Sequence, residues 1–180
     1  PELETKSEVS TGTVFGVSGN SGWQESQSCL EFQVFDSKNS TSVNPRVLMP
    51  RTGDELPVSI GELTVVNRDE KLISLSKVKS IPAGSYSLYH TRQEVAVPFK
   101  TSVLINGVVV ENITFDTLNE NNGELCVKGN DYYPISMLYP DDKRQLLSKL
   151  YFTSGKNILT VNISDILGNV KTYSYTIDVK

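Results

Sequence analysis

The stretch Asn157-Ile158-Leu159-Thr160-Val161-Asn162-Ile163-Ser164, followed by Asp165 to Asn169 and then by Val170-Lys171-Thr172-Tyr173-Ser174-Tyr175-Thr176-Ile177-Asp178-Val179, decides how the chain is read. In the first arm Leu159, Val161 and Ile163 alternate with Thr160, Asn162 and Ser164. In the second, Tyr173, Tyr175, Ile177 and Val179 alternate with Thr172, Ser174, Thr176 and Asp178. A repeat of two in β-branched and aromatic residues is the signature of strands with one buried face. Between the arms the Asp165 side chain can accept turn hydrogen bonds, and Gly168 and Asn169 tolerate left-handed backbone. The chain therefore closes on a β-hairpin.

The same grammar extends toward the N-terminus. Ser102 to Ile105, Asn106-Gly107 and Val108 to Val110 predict a hairpin, because Asn-Gly supplies the two positive-φ residues of a two-residue turn. Asn121-Asn122-Gly123 predicts another turn before Leu125-Cys126-Val127. Segment 131–140, with Tyr132, Tyr133 and Tyr139, reads as strand or irregular loop. Asp141-Asp142-Lys143-Arg144, running on to Leu150, reads as the one short helix, since its acidic start and basic following turn suit the helix dipole. In the first half strands are expected at Thr13–Val17, Cys29–Phe35, Arg46–Pro50, Leu56–Val66, Lys71–Val78 and Ile81–Tyr89. Arg92–Pro98 reads as a junction, giving a β-sandwich over 1–96 and a second, Ig-like sandwich over 97–180, or one fused sandwich of similar strand count.

Composition agrees with an all-β class. Alanine occurs only at Ala83 and Ala96, whereas Val, Ile and Thr supply 44 of the 180 residues. That balance disfavours helix and favours strand. A hydrophobic content of 38% is enough for a core. No apolar run approaches the roughly 18 residues of a membrane span, so no membrane insertion is expected. A net charge of −4 and a pI near 5.1 argue against nucleic acid as a partner.

Catalytic equipment is sparse. One histidine, His90, and two cysteines, Cys29 and Cys126, leave little for a zinc site. No phosphate-cradling Gly-Lys-Ser/Thr loop, dinucleotide Gly motif or Gly-x-Ser-x-Gly elbow occurs. His90 has two readings, an ordinary strand-end histidine or a base. Asp116, Asn119, Glu120, Asn121 and Glu124 form an oxygen-rich stretch, but Glu124 stands where a calcium loop would need glycine, and a solvated hairpin explains them. No metal, no cofactor and no enzyme activity are expected. Ser, Thr and Asn number 48, which with few cysteines suits a bacterial extracellular or periplasmic domain. There Cys29 and Cys126 would form a disulfide; the alternative is two buried thiols. Three sequons, at Asn39, Asn112 and Asn162, are about what this composition yields by chance. The polar start Pro1-Glu2-Leu3-Glu4 reads as that of a mature or excised chain.

The segment Gly155 to Asp165, then Gly168-Asn169-Val170 and Thr172, then the alternating last strand, resembles the closing hairpin of bacterial Ig-like repeats of surface adhesins. The resemblance covers the end of the chain only. It implies a β-sandwich that displays or spaces something on a bacterial surface, and it transfers no ligand site. Pro82-Ala83-Gly84-Ser85-Tyr86-Ser87-Leu88 resembles the late strand of secreted β-sandwiches, fimbrial subunits among them.

Candidate binding residues are aromatic. Trp23 follows a Gly/Ser/Asn turn and is either a loop aromatic able to stack on a sugar or a core residue. Tyr132, Tyr133 and Tyr139 form either a low-entropy binding patch or a cover for a sheet edge. Val170–Val179 can pair within its own sheet or add to an exposed edge. The expected function is a non-catalytic extracellular adhesin or surface-protein binding module, whose partner is a host-surface glycan or protein. The alternatives are a stalk or fimbrial subunit contacting neighbouring subunits, and a carbohydrate-binding accessory domain of a secreted enzyme.

Overall fold

The computed structural model describes residues 8–14, 16–17, 19, 32–51, 53–93, 96 and 98–180. Trp23 and Cys29 lie outside the described residues. The chain divides into two compact units, Pro1–Phe32 and Gln33–Lys180. In the first, the Thr13 N–H and hydroxyl both donate to the Ser10 carbonyl, closing a turn (3.1 and 2.7 Å). Thr13, Val14, Gly16 and Val17, expected as strand, belong to none.

The second unit is all-β. In chain order its strands are β1 (Val34–Asp36), β2 (Thr41–Val43), β3 (Leu63–Val66), β4 (Leu72–Ser74), β5 (Ser80–Ile81), β6 (Gly84–Thr91) and β7 (Lys100–Ile105). There follow β8 (Val108–Thr114), β9 (Thr117–Asn121), β10 (Glu124–Lys128), β11 (Tyr132–Pro134), β12 (Arg144–Phe152), β13 (Gly155–Ser164) and β14 (Val170–Val179). A four-residue helix, α1 (Ile135–Leu138), follows β11. Three sheets result: β1-β2-β9-β10-β11, β12-β6-β3-β4 and β5-β14-β13-β7-β8. All pairings are antiparallel except β5 with β14.

The second and third sheets face each other across the main core. Val65, Leu88, Leu147 and Phe152 come from one side, and Val103, Leu159, Val161 and Ile163 from the other, all without solvent exposure. A smaller core lies on the far side of the second sheet, where Leu146 and Tyr89 meet Ile113, Val127, Tyr133 and Leu138. Each hydrophobic group closed off from water in this way contributes about 1.5–3 kcal/mol.

Both predicted hairpin turns form. Asn106 and Gly107 take φ of 52° and 82°, and Asn122 and Gly123 take 54° and 82°. In the closing hairpin Asp165 accepts from the Asn169 backbone N–H (2.9 Å) and side-chain amide (2.7 Å), and only Gly168 is left-handed.

Three expectations are corrected. Asp141–Leu150 is no helix: Asp141 accepts from the backbone N–H of Lys143 and of Arg144 (2.9 and 2.8 Å) and from Arg144 Nε (2.7 Å), a turn that launches β12. Leu146 pairs with Tyr89 and Ser148 with Leu88, so Leu147 is an extra, bulged residue. The bulge places Leu146 in one core and Leu147 in the other. It also breaks the repeat of two and leaves Leu146, Leu147 and Leu150 at a helix-like spacing. Arg46–Pro50 is likewise not a strand; Pro45–Val47 is a 3-10 turn that Asn44 caps by accepting from Arg46 N (3.1 Å). Finally, β6 pairs along its length with β12, and β5 pairs with β14. Strands from both sides of the expected 96/97 boundary thus share two sheets, and the division falls after Phe32.

Candidate functional site

The three predicted tyrosines do not form one exposed patch. Tyr133 is 1% exposed and belongs to the smaller core. Its hydroxyl donates to Glu111 Oε2 (2.5 Å), while Glu111 Oε1 accepts from Asn112 N (2.9 Å) and Asn130 N (2.8 Å). Burial and then the neighbouring Glu111 carboxylate push the Tyr133 phenol far above its ordinary value. Tyr139 is half-buried beneath Arg92, whose guanidinium lies 4.7 Å from the ring centre. Burial raises its pKa against the opposing effect of Arg92. Tyr132 is exposed on the other face of β11, with Lys128 Nζ 5.6 Å from its ring centre. Tyr133 is a structural residue with no surface to offer a ligand. His90 is also unavailable: it is fully buried, and its Nε2–H donates to Gln145 Oε1 (3.2 Å).

The open site lies instead on the outer face of the second sheet. Alternation sends Tyr86, Leu88, Leu150 and Phe152 into the main core. Their neighbours Ser85, Ser87, Lys149 and Tyr151 therefore lie on the opposite face. Register makes cross-strand pairs of Lys149 with Ser87 and of Tyr151 with Ser85, and places Val66 beside Ser87. The smaller core covers this face only as far as Tyr89 and Leu146. Beyond it a groove of about 480 Å3 remains, walled by the β3–β4 turn at Asn67 and Arg68. Tyr151 is 60% exposed there. Arg68 Nη2 is 3.5 Å from the Ser85 hydroxyl, and Lys149 Nζ is 5.5 Å from the centre of the Tyr133 ring.

The electrostatics are one-sided. Among the described residues two cations and no carboxylate line the groove, in a chain of net charge −4. The ion pairs among the described residues are Arg46 with Glu55 and Arg144 with Asp141, so no described acid pairs with Arg68 or Lys149. Two other hollows among the described residues differ. One of about 510 Å3 has Arg92 as its one charge among the described residues, with no second cation beside it. One of about 160 Å3 is smaller and carries a carboxylate, Glu55, paired with Arg46 beside Arg51.

Sequence reasoning missed Lys149 and Tyr151 because the bulge disguised their strand as a helix. The alternation Lys149-Leu150-Tyr151-Phe152 was the signal that identifies their face. Glu111 was missed as well. Its signal was an acid at the inward position two residues before Ile113.

Fold and groove together define an all-β protein with two packed sheets, a third sheet of shorter strands and an open cationic-aromatic face. Residues 57–180 match the model of an uncharacterised protein family, and the chain belongs to that family. No curated protein and no solved structure matches it. No helix among the described residues is long and apolar enough to cross a membrane.

Proposed function

We propose that this protein is a non-catalytic binding module acting outside the cell, and that the groove of Arg68, Ser85, Ser87, Lys149 and Tyr151 takes an anionic, ring-bearing ligand of the acidic-sugar class. The observation that carries this reading is the groove's charge: Arg68 and Lys149, with no carboxylate partner among the described residues, flanking an exposed tyrosine. A tyrosine face accepts a sugar ring at low entropic cost, and charge-assisted hydrogen bonds from Lys and Arg fix the anionic group. The serine hydroxyls add donors and acceptors between them. The groove's volume is within the range of small-ligand sites. A Ser-, Thr- and Asn-rich composition and the adhesin-like closing hairpin support an extracellular setting.

Isothermal titration with a sulfated or carboxylated oligosaccharide and with its neutral counterpart tests the reading. The acidic sugar is expected to bind and the neutral one to bind much more weakly. Lys149→Ala and Tyr151→Ala are each expected to weaken binding roughly tenfold, about 1.4 kcal/mol. Equal affinity for both sugars, or variants that bind like the native chain, would count against it.

A further inference from the structure

Among the described residues the sheet edges are blunted in recognisable ways, with one exception. β1, β4 and β11 are three residues long. β12 carries the Leu147 bulge. The register of β7 with β8 shifts between Val103 and Leu104, and on β8 the Val110 carbonyl is taken by the Asn130 side chain (2.6 Å). Short strands, bulges and plugs are the usual protections against edge-to-edge pairing. β14 has none of them. It runs in unbroken register with β13 from Val170 to Val179, and on its other side β5 covers only Asp178 and Val179.

Two sets of bonds show which way its backbone groups point. Lys180 N–H donates to the Ile81 carbonyl (3.0 Å) and the Lys180 carbonyl accepts from Ala83 N–H (2.8 Å), so residue 180 directs both groups toward the β5 side. Ile158, the β13 partner of Thr176, accepts from Asn106 N–H and donates to Asn106 Oδ1 (both 2.8 Å), so it faces away from β14. Strand alternation then directs the N–H and C=O of Val170, Thr172, Ser174 and Thr176 outward. Among the described residues they meet no strand.

We propose that two copies of the chain pair through β14, antiparallel, about a two-fold axis at Tyr173. This register sets Thr172 against Ser174 of the second copy and Val170 against Thr176, forming about eight ladder hydrogen bonds. It uses all four outward-facing residues and stops where β5 begins. A shift of two residues either way brings Asp178, already paired with β5, or Gly168, in the hairpin turn, into the ladder. The side chains agree. Tyr173, 48% exposed, meets its own copy, extending the Tyr173–Tyr175 ring contact of 5.8 Å into a row. Lys171, the one charge between Val170 and Ile177, falls opposite Tyr175 rather than another lysine. Because the contact is self-complementary it closes on a dimer and propagates no fibre.

Sedimentation of the full chain in reductant is expected to give twice the 19.9 kDa of one chain. Ser174→Pro removes an outward N–H and no bond to β13, and Tyr173→Lys brings two charges together at the axis; both are expected to sediment as monomers. Tyr173→Cys is expected to cross-link to itself on oxidation, since a directly opposed non-hydrogen-bonded pair has Cα atoms about 4.5 Å apart, within disulfide reach. Tyr175→Cys is expected not to. A native chain that stays monomeric at about 100 µM, and so has a dissociation constant weaker than that value, would overturn the proposal, whatever other strand the edge accepts. So would cross-linking at position 175 as efficient as at 173, a result that does not depend on Ser174→Pro folding.

Discussion

At the scale of single residues, the most consequential side chain is Glu111, a carboxylate 1% exposed beneath the small sheet. Its oxygens are held by two backbone N–H groups and the Tyr133 hydroxyl. A buried carboxylate that loses a donor bears the cost of an unmet hydrogen bond. Tyr133→Phe is therefore expected to destabilise the fold by about 1–3 kcal/mol in urea denaturation, with ligand affinity at the groove unchanged. His90 makes a second test. Burial holds its pKa below the ordinary 6.5, outweighing the hydrogen bond to Gln145. Above pH 6.5 both folded and unfolded chains carry it neutral. Below that value the unfolded chain takes up a proton that the folded chain resists, so stability declines with falling pH until the lowered folded pKa is reached. The urea midpoint of the native chain is expected to fall more steeply between pH 7.5 and 5 than that of His90→Gln; parallel curves would exclude this role. The turn residues were legible from the sequence because Asn-Gly and Asp-x-x-Gly-Asn act through their own backbone. The roles of Tyr133 and His90 were not, because burial depends on what packs above a strand.

At the scale of elements, β12 concentrates what the sequence concealed. Its bulge lets one strand supply both cores, Leu146 to the smaller and Leu147 to the larger. The same bulge removes the alternation by which a strand is recognised. Leu147 is fully buried, and Leu147→Ala is expected to cost about 2–5 kcal/mol, seen as a lower urea midpoint with unchanged slope. A cost under about 0.5 kcal/mol, the size of an ordinary surface substitution, would mean that Leu147 does not anchor the main core. The closing hairpin shows the opposite case. Its alternation and its Asp165 turn are local, and the structure reproduces both.

At the scale of the whole molecule, pairing between distant strands organises the fold. The all-β class follows from composition and alternation. The partnership of β6 with β12 does not, because period-two strands carry no label for a partner more than fifty residues away. A Pro- and Arg-containing connection at 92–98 consequently resembles a domain junction, although β6 and β12 join the chain across it. That same partnership builds the groove, bringing Ser85 and Ser87 beside Tyr151 and Lys149. This face of the second sheet is the binding surface proposed for the protein. The most direct measurement is a heteronuclear NMR titration of the full chain with an acidic oligosaccharide. Saturable shifts confined to Asn67, Arg68, Ser85, Ser87, Lys149 and Tyr151, and absent with the neutral sugar, are expected. Shifts centred elsewhere, or none at millimolar ligand, would contradict the proposal.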